Sequence, residues 1–191
     1  MEKSLPPGAG RSSFDLVDAK KVFRELRLKK GMTFLDTACG RGEYSLAASK
    51  IIGTTGLVFA IDLWEEGIAD LRKQVSDRKI KNIDARVVDL REGIPMKDDC
   101  VDVCLMATVL HDLVETNGAG QALKEAARVL KPEGMLAVIE FKKMEGPPGP
   151  PIRIRLTPEE VDRLSHPHGF VKRSLADVGP YNYMMLFAVQ D

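Results

Sequence analysis

The sequence contains little cysteine, and its cysteines form no disulfide pattern. Three of its 191 residues are cysteines, Cys39, Cys100 and Cys104, an odd and sparse set unlike the framework of a small secreted protein. Cys100 and Cys104 lie at an apolar run without a partnering cysteine pair or histidine cluster, and the His-Pro-His segment at 166–168 lacks a third ligand. We therefore expect buried thiols at 100 and 104, a solvated turn at 166–168, no metal site and a cytoplasmic protein.

Net charge and long apolar runs are lacking as well. Lysine plus arginine and aspartate plus glutamate number 28 each, so no overall field attracts nucleic acid or an anionic membrane. The first eight residues contain no apolar core of a signal peptide, and no later run approaches the length that spans a bilayer. We expect no nucleic-acid partner and no membrane insertion, while the oligomeric state stays open.

The sequence does show short apolar runs alternating with helical patterns. Strands are predicted at 32–36, 57–62, 85–88, 101–106 and 135–141, and helices at 14–28, 43–52, 65–79, 120–130 and 158–165. Two further strands at 170–175 and 184–189, separated by Val-Gly-Pro, predict a hairpin. This order predicts an α/β fold with a doubly wound, mainly parallel sheet. We expect one domain at 14–191, preceded at 1–13 by a flexible leader or a strap over the site.

The most informative segment is Phe-Leu-Asp-Thr-Ala-Cys-Gly-Arg-Gly at 34–42. An apolar strand ends in a carboxylate, and a loop of small residues then leads into a helix, which is how an α/β sheet binds a nucleotide-like ligand. Asp36 would repel a phosphate and so favours a ligand with a cationic end. S-adenosylmethionine fits, because its ammonium can donate charge-assisted hydrogen bonds to a carboxylate. Gly40 and Gly42 allow close backbone approach and positive φ.

These residues resemble the first motif of class I S-adenosylmethionine-dependent methyltransferases, acid-x-Gly-x-Gly-x-Gly. Asp36, Gly40 and Gly42 fill three of its four marked places, and Ala38 stands at the first glycine, where we expect φ to stay negative. The Lys-Pro-Glu-Gly-Met turn at 131–135 resembles the small-molecule branch that includes ubiquinone and menaquinone biosynthesis enzymes. The resemblance covers about residues 14–190. It implies a Rossmann-like seven-stranded sheet with an antiparallel C-terminal strand, and methyl transfer to a small-molecule acceptor.

Residues after the second and third predicted strands are candidates for binding the nucleoside. Asp62 lies twenty residues after Gly42, the offset at which a carboxylate accepts the ribose hydroxyls. Leu63 and Trp64 can press against adenine, although Trp64 equally suits solvent or the core. The resemblance places Asp89 at the adenine amino group, with a turn or cap as the alternative. It also assigns to the cofactor Ala38, Cys39, Leu90, Ala107 and Thr108.

His111 is the candidate general base, because a neutral imidazole takes a proton near neutral pH. An equally weighted alternative is a structural histidine that braces the following helix. Asp112 ranks lower, since adjacent residues on a helix do not face each other. Glu140 ends the fifth predicted strand, at the edge where ligands bind.

Three further features have two interpretations each. The proline-rich segment 144–151 is either a lid on the acceptor side or a stiff connector. Tyr181 and Tyr183 either reach the acceptor or pack in the fold. Gly40-x-Gly42-x-x-Ser45 nearly matches a nicotinamide fingerprint, so an NAD-dependent oxidoreductase is one alternative function, with Asp36 and the terminal hairpin counting against it. A non-catalytic S-adenosylmethionine-binding module is another, and the acceptor atom is undetermined.

Overall fold

The structure, a computed structural model, describes residues 8–190. The strands are β1 Thr33–Thr37, β2 Leu57–Asp62, β3 Ile83–Val87, β4 Val101–Ala107, β5 Leu130–Phe141, β6 Phe170–Asp177 and β7 Asn182–Val189. The α-helices are α1 Ala19–Leu26, α2 Glu43–Ile52, α3 Glu65–Asp77, α4 Leu110–Glu115, α5 Ala119–Val129 and α6 Pro158–Ser165, and short 3₁₀ turns occupy Phe14–Leu16, Ile152–Ile154 and His166–His168.

All seven strands form one sheet in the order β3-β2-β1-β4-β5-β7-β6. The pairings among β1 to β5 are parallel, and β7 runs antiparallel to both of its neighbours. The predicted α/β, mainly parallel sheet with an antiparallel C-terminal strand is confirmed. One apolar core joins α1, α2 and α3 to one face of the sheet, and a second joins α4, α5 and α6 to the other. Strands covered on both faces need continuous apolar runs, which is why Phe34 and Leu35 are adjacent and both buried.

The predicted first helix, 14–28, is wrong in extent, because the chain there forms a 3₁₀ turn followed by α1. The Asp18 side chain accepts a hydrogen bond from the N–H of Lys21 and so sets the start of α1 as its N-cap. Arg27 adopts a left-handed φ of 50° and ends it. The segment between them is therefore the only part that is α-helical.

The turn predicted before the fifth strand lies inside β5. Val101 pairs with Leu130 and Val103 with Met135, so the intervening residues form a bulge and the strand resumes its ladder afterwards. The Lys131 ammonium donates to Asp102 across this bulge at 2.6 Å. Helix α4 is an additional element that periodicity did not reveal, since it spans only Leu110–Glu115.

The carboxyl ends of β1, β2 and β4 meet at one edge of the sheet. The chain leaves β1 toward one face and β4 toward the other, which makes the gap between them a topological switch point where α/β sheets bind ligands. No helix within residues 8–190 is both long enough and apolar enough to span a membrane.

Candidate functional site

A cavity opens at this edge of the sheet, between the loops that follow β1, β2, β3 and β4. The segment Gly8–Arg11 crosses it and forms part of its wall. Of the residues predicted from sequence, the wall contains Ala38, Gly40, Asp62, Leu63, Asp89, Leu90, Ala107 and Thr108. Asp36, Cys39, Gly42 and His111 lie outside that wall.

The loop between β1 and α2 is built from left-handed residues. Ala38, Gly40 and Gly42 have φ values of 55°, 55° and 81°. The expectation of a negative φ at Ala38 is wrong, because the sharp strand-to-helix turn requires the left-handed region there despite the steric cost of a Cβ. A Cβ on Gly40 would meet no atom of the described residues within 4 Å, whereas one on Gly42 would lie 2.5 Å from Leu71 of α3. Gly40 therefore leaves space beside the cavity, and Gly42 serves helix packing.

Asp62 holds this loop from the end of β2. Its Oδ2 accepts a hydrogen bond from the N–H of Gly40 at 2.7 Å, and its Oδ1 accepts one from the N–H of Trp64 at 2.7 Å. Burial raises the pKa of Asp62 above its ordinary value, although these backbone donors oppose the shift. The carboxylate is thus fixed in the cavity wall with a defined orientation.

Trp64 lies in the cavity wall rather than in solvent. Its ring is buried, and the Arg41 guanidinium sits 5.4 Å from the ring centroid. Its Nε1–H finds no hydrogen-bond acceptor among the described residues. An unpaired donor beside a cavity is a feature that a bound ligand can satisfy.

Asp36 lies beneath the loop and is only 1 % exposed. Its Oδ2 accepts a 2.5 Å hydrogen bond from the Ser45 hydroxyl, and its Oδ1 has no partner within residues 8–190. Burial raises the pKa of Asp36 to about 7, and the nearby charges of Asp62 and Glu43 add to the shift, while the Ser45 hydrogen bond opposes it. A positive charge arriving near this carboxyl would favour its ionised form.

Asp89 lines the cavity and also forms a turn. Its carboxylate accepts hydrogen bonds from the Arg91 backbone N–H at 2.9 Å and from the Arg91 guanidinium at 2.6 Å. These hydrogen bonds from Arg91 lower the pKa of Asp89, against a smaller opposing effect of burial. The turn interpretation of Asp89 therefore holds, and the same carboxylate remains part of the cavity wall.

His111 lies behind the cavity wall. His111 is 4 % exposed, and its Nδ1 lies 2.7 Å from Oε2 of Glu140, a residue that is 0 % exposed. The His111 backbone N–H donates to Glu140 Oε1 at 3.2 Å. Burial lowers the pKa of His111, but the hydrogen bond and charge of Glu140 outweigh it, so the net pKa is raised. Asp112, ranked lower from sequence, is the neighbour that reaches the cavity.

The segment 8–13, called the strap below, contributes residues 8–11 to the cavity wall. A Cβ on Gly10 would lie 3.7 Å from the Trp64 ring, and one on Gly8 would lie 3.2 Å from Asp112 Oδ2. Ser13 is buried, and its hydroxyl lies 3.1 Å from that of Tyr44. Thr108 donates to the Ser13 hydroxyl at 3.3 Å. The part of the predicted leader at 1–7 lies outside the described residues.

The proline-rich segment 144–151 does not line the cavity, so the connector interpretation agrees with the structure and the lid does not. The Tyr183 hydroxyl donates to the Leu156 carbonyl at 2.8 Å in a buried position, which is a packing role. Cys104 is buried as expected, but Cys100 is only half-buried and its thiol donates to the Lys97 carbonyl.

The comparisons with known proteins agree with this geometry. The sequence profile of the family described as "Methyltransferase domain" matches residues 28–165. The chain belongs to this methyltransferase domain family. The predicted resemblance to class I S-adenosylmethionine-dependent methyltransferases is thereby confirmed, and the NAD-dependent alternative receives no support.

Two curated relatives match this chain over most of its length. A demethylmenaquinone methyltransferase of Lactobacillus johnsonii is 32% identical over 170 residues, covering 86% of this chain and 64% of the relative. One from Staphylococcus aureus is 33% identical over 122 residues, or 63% of this chain and 48% of the relative. The chain thus spans about half to two thirds of the length of these curated relatives.

Solved structures extend the likeness over nearly the whole chain. A SAM dependent methyltransferase from Aquifex aeolicus superimposes with a TM-score of 0.84 at 32% identity, covering 96% of this chain and 93% of the other. The [4+2]-cyclase SpnF superimposes with a TM-score of 0.75 at 20% identity, covering 90% and 79%. The second likeness shows the fold alone, so the reaction has to be argued from the site.

The site of this methyltransferase domain fits S-adenosylmethionine by its own features. The unpaired Asp36 Oδ1 suits a ligand with a cationic end, and the open space beside Gly40 leaves the loop backbone approachable. Asp62 presents an oriented carboxylate to a diol, and the buried Trp64 ring offers an apolar plane.

Sequence reasoning missed several parts of the wall outside the strap, namely Val88, Arg91, Val109, Leu113 and Thr116. Val88, Arg91 and Val109 follow the ends of β3 and β4, so their position after predicted strands was an available signal. Leu113 and Thr116 lie on or just after α4, which is too short to show a helical period.

Proposed function

We propose that this protein transfers the methyl group of S-adenosylmethionine to a small-molecule acceptor. The observation that carries the proposal is the Asp62 carboxylate, fixed by the N–H groups of Gly40 and Trp64 at the cavity wall. The likeness to the Aquifex aeolicus methyltransferase over 96% of the chain supports it.

Each end of the cofactor has candidate residues in this chain. Asp62 would hold the ribose hydroxyls, with Leu63 and Trp64 against the adenine face. Asp89 and Leu90 would meet the adenine edge. The backbone of 38–40, above Asp36, would hold the amino-acid end, and Ala107 and Thr108 would lie along its methionine part. Cys39 and Gly42 would act through the shape of the loop, since neither lines the cavity.

When bound, S-adenosylmethionine supplies a methyl group on a sulfonium, which is already an activated leaving group. The protein then has to orient the acceptor and exclude water, which accounts for much of the rate enhancement in such reactions. The strap at 8–13 supports the second task, because it crosses the cavity between Trp64 and Asp112.

The acceptor is proposed to be a small molecule of low charge. The curated relatives are named for demethylmenaquinone, and the balanced charge of 28 cations and 28 anions gives no support to a nucleic-acid partner. Direct proton abstraction by His111, the single-domain boundary at 14 and a cytoplasmic location stay predictions. The burial of His111 against Glu140 supports the bracing alternative for this histidine.

Calorimetric titration with S-adenosylmethionine, S-adenosylhomocysteine and NAD tests the proposal. We expect both sulfur ligands to bind and NAD not to bind. Asp62→Asn removes the charge that strengthens hydrogen bonds to the ribose, so the affinity for S-adenosylhomocysteine should fall about tenfold or more. Asp84→Asn is the matched control, because Asp84 pairs with Arg86 on the exposed part of β3, outside the cavity wall.

Binding of NAD alone, or equal affinity of the Asp62→Asn protein, would contradict the proposal. Binding of S-adenosylhomocysteine without methyl transfer to any acceptor would favour the non-catalytic module instead.

A further inference from the structure

Three carboxylates line the cavity, and one of them differs from the other two. Asp62 accepts hydrogen bonds from two backbone N–H groups, and Asp89 is held by Arg91. The carboxylate of Asp112 accepts no hydrogen bond from any residue between 8 and 190, and its nearest cationic atom is His111 Nε2 at 3.6 Å. Among the three, Asp112 is therefore the carboxylate with the most unused acceptor capacity.

Asp112 is held in position by the contacts of its neighbour His111 with Glu140. Asp112 lies in the first turn of α4 with its side chain 21% exposed. The adjacent His111 ring is held by Glu140 Oε2 at 2.7 Å, and the His111 backbone N–H is held by Glu140 Oε1. Because Glu140 is fully buried at the end of β5, this pair anchors the start of α4 to the sheet.

Charges around Asp112 nearly cancel. Facing it are His111 from its own helix, Glu140 from β5, Arg11 from the strap and Glu115 one turn on, which is paired with Arg153. Burial raises the pKa of Asp112, His111 lowers it, and Glu140 and Glu115 raise it, with a net rise. A site with this balance suits a neutral ligand better than a cation.

Apolar side chains form part of the cavity wall at this end. Val109 and Leu113 flank Asp112, and Thr116 follows one turn later. A ligand bound here would bury an apolar body and direct one polar hydrogen toward the carboxylate.

We propose that Asp112 is the acceptor-side catalytic residue, which binds and deprotonates the hydroxyl of a neutral, largely apolar acceptor, and that His111 and Glu140 are its positioning residues. This inference rests on the proposed methyl transfer and names the class of its acceptor. The acceptor's O–H bond breaks and its proton goes to Asp112. The electron pair left on the acceptor forms the bond to the methyl carbon, and the pair of the broken carbon–sulfur bond stays on sulfur.

The test is calorimetric binding of 2-naphthol and of naphthalene to the protein saturated with S-adenosylhomocysteine. 2-Naphthol carries the hydroxyl and naphthalene lacks it, so the difference isolates the contact with Asp112. We expect the hydroxyl to strengthen binding about tenfold and Asp112→Asn to remove most of that gain, because the charge-assisted hydrogen bond is lost. Glu115→Gln, the same chemical change on the same helix but outside the cavity wall, should leave the gain within about twofold, since its ion pair is exposed.

The pH dependence of 2-naphthol binding tests the positioning role of His111. Binding of 2-naphthol should weaken as pH falls, because protonation removes the acceptor charge of Asp112. His111→Gln removes the cation that lowers the pKa of Asp112, so this weakening should move to higher pH. Glu140→Gln removes a negative charge that raises the pKa of Asp112, so it should move the weakening to lower pH, whereas a purely structural role would lower affinity without moving it.

Several outcomes would overturn the inference. These are no binding of 2-naphthol, no preference over naphthalene, an unchanged preference in Asp112→Asn, or tighter binding of 1-naphthylmethylammonium than of 2-naphthol. Unchanged affinity for S-adenosylhomocysteine in every variant shows that each is folded. If the unmodified protein does not bind S-adenosylhomocysteine, the proposed function itself is contradicted. A failure of this inference can therefore be distinguished from a failure of the proposed function.

Discussion

The Asp36 carboxyl group lies deeper in the structure than its position in the sequence predicts. Its place at the end of a strand predicted a carboxylate directed toward a cationic ligand. In the structure it is buried beneath the loop, one of its oxygens has no partner between residues 8 and 190, and its pKa is raised to about 7. Burial of a carboxyl group that lacks a second partner disfavours its charged form. The residue type was predictable, but its depth depends on how the loop at 38–42 packs above it.

The raised pKa of Asp36 makes stability depend on pH. Between its ordinary pKa of 3.8 and about 7, the folded protein holds a proton that the unfolded chain releases. The contribution of Asp36 to the free energy of unfolding therefore decreases as pH rises through this window. Asp36→Asn cannot ionise, so relative to the unmodified protein its free energy of unfolding should gain about 3 kcal/mol between pH 4 and pH 7.

Urea unfolding of both proteins across this pH range measures the difference. Asp70→Asn, an exposed carboxylate paired with Arg41, is the control and should show little pH-dependent difference. A difference between Asp36→Asn and the unmodified protein that stays constant with pH would contradict the account.

The position of Asp62 could be predicted from the sequence, whereas the backbone conformation of Ala38 could not. The spacing of Asp62 from the loop predicted its place correctly, because strand and helix lengths in such units vary little. The left-handed φ of Ala38 could not be predicted, because alanine rarely adopts it and the geometry of the whole turn imposes it.

Among the loops and helices, the proline-rich segment is organised by one buried guanidinium. Arg155 is 2 % exposed, and its nitrogens donate to five backbone carbonyls. These belong to Lys142, Met144, Gly146, Pro148 and Pro150. The sequence Ile-Arg-Ile-Arg-Leu at 152–156 gives no sign that one arginine is buried and the other exposed. The fixed fork of the guanidinium explains why this loop is a connector rather than a lid.

Arg155→Lys should therefore destabilise the protein although it keeps the charge. An ammonium has three donors and cannot span five carbonyls, so buried acceptors lose partners, and the free energy of unfolding should fall by about 3 kcal/mol. Urea unfolding measures the change. Arg153→Lys is the matched control, because Arg153 is 72% exposed and pairs with Glu115, and its effect should stay below about 0.5 kcal/mol. Equal effects of the two substitutions would contradict the account.

Element boundaries followed the local sequence where a clear signal existed. Helix α2 and strand β2 match their predicted bounds, because a glycine-bounded loop and a continuous apolar run define them. The start of β5 differs, because the Pro-Gly pair at 132 and 134 marks a bulge whose pairing with β4 is set by the rest of the sheet. Local propensity predicts a break in the ladder there, and tertiary pairing decides that the strand continues.

At the scale of the whole molecule, alternation predicted the sheet and the family resemblance predicted its final strand. The acceptor side of the cavity could not be predicted, because it joins the strap at 8–13 to residues about one hundred positions later. Nothing in the spacing of His111 and Asp112 indicates that the imidazole turns inward to Glu140 while the neighbouring carboxylate faces the cavity. That division comes from the placement of α4 against β5.

A crystal structure of the protein with S-adenosylhomocysteine is the decisive test of the proposed cofactor site, because it locates every part of the ligand at once. We expect the ribose hydroxyls on Asp62, adenine between Trp64 and Asp89, and the amino-acid end at the loop 38–40, with the sulfur facing the end of the cavity that contains Asp112. A ligand bound outside this cavity, or with its adenine against Asp112, would contradict the assignment of the site.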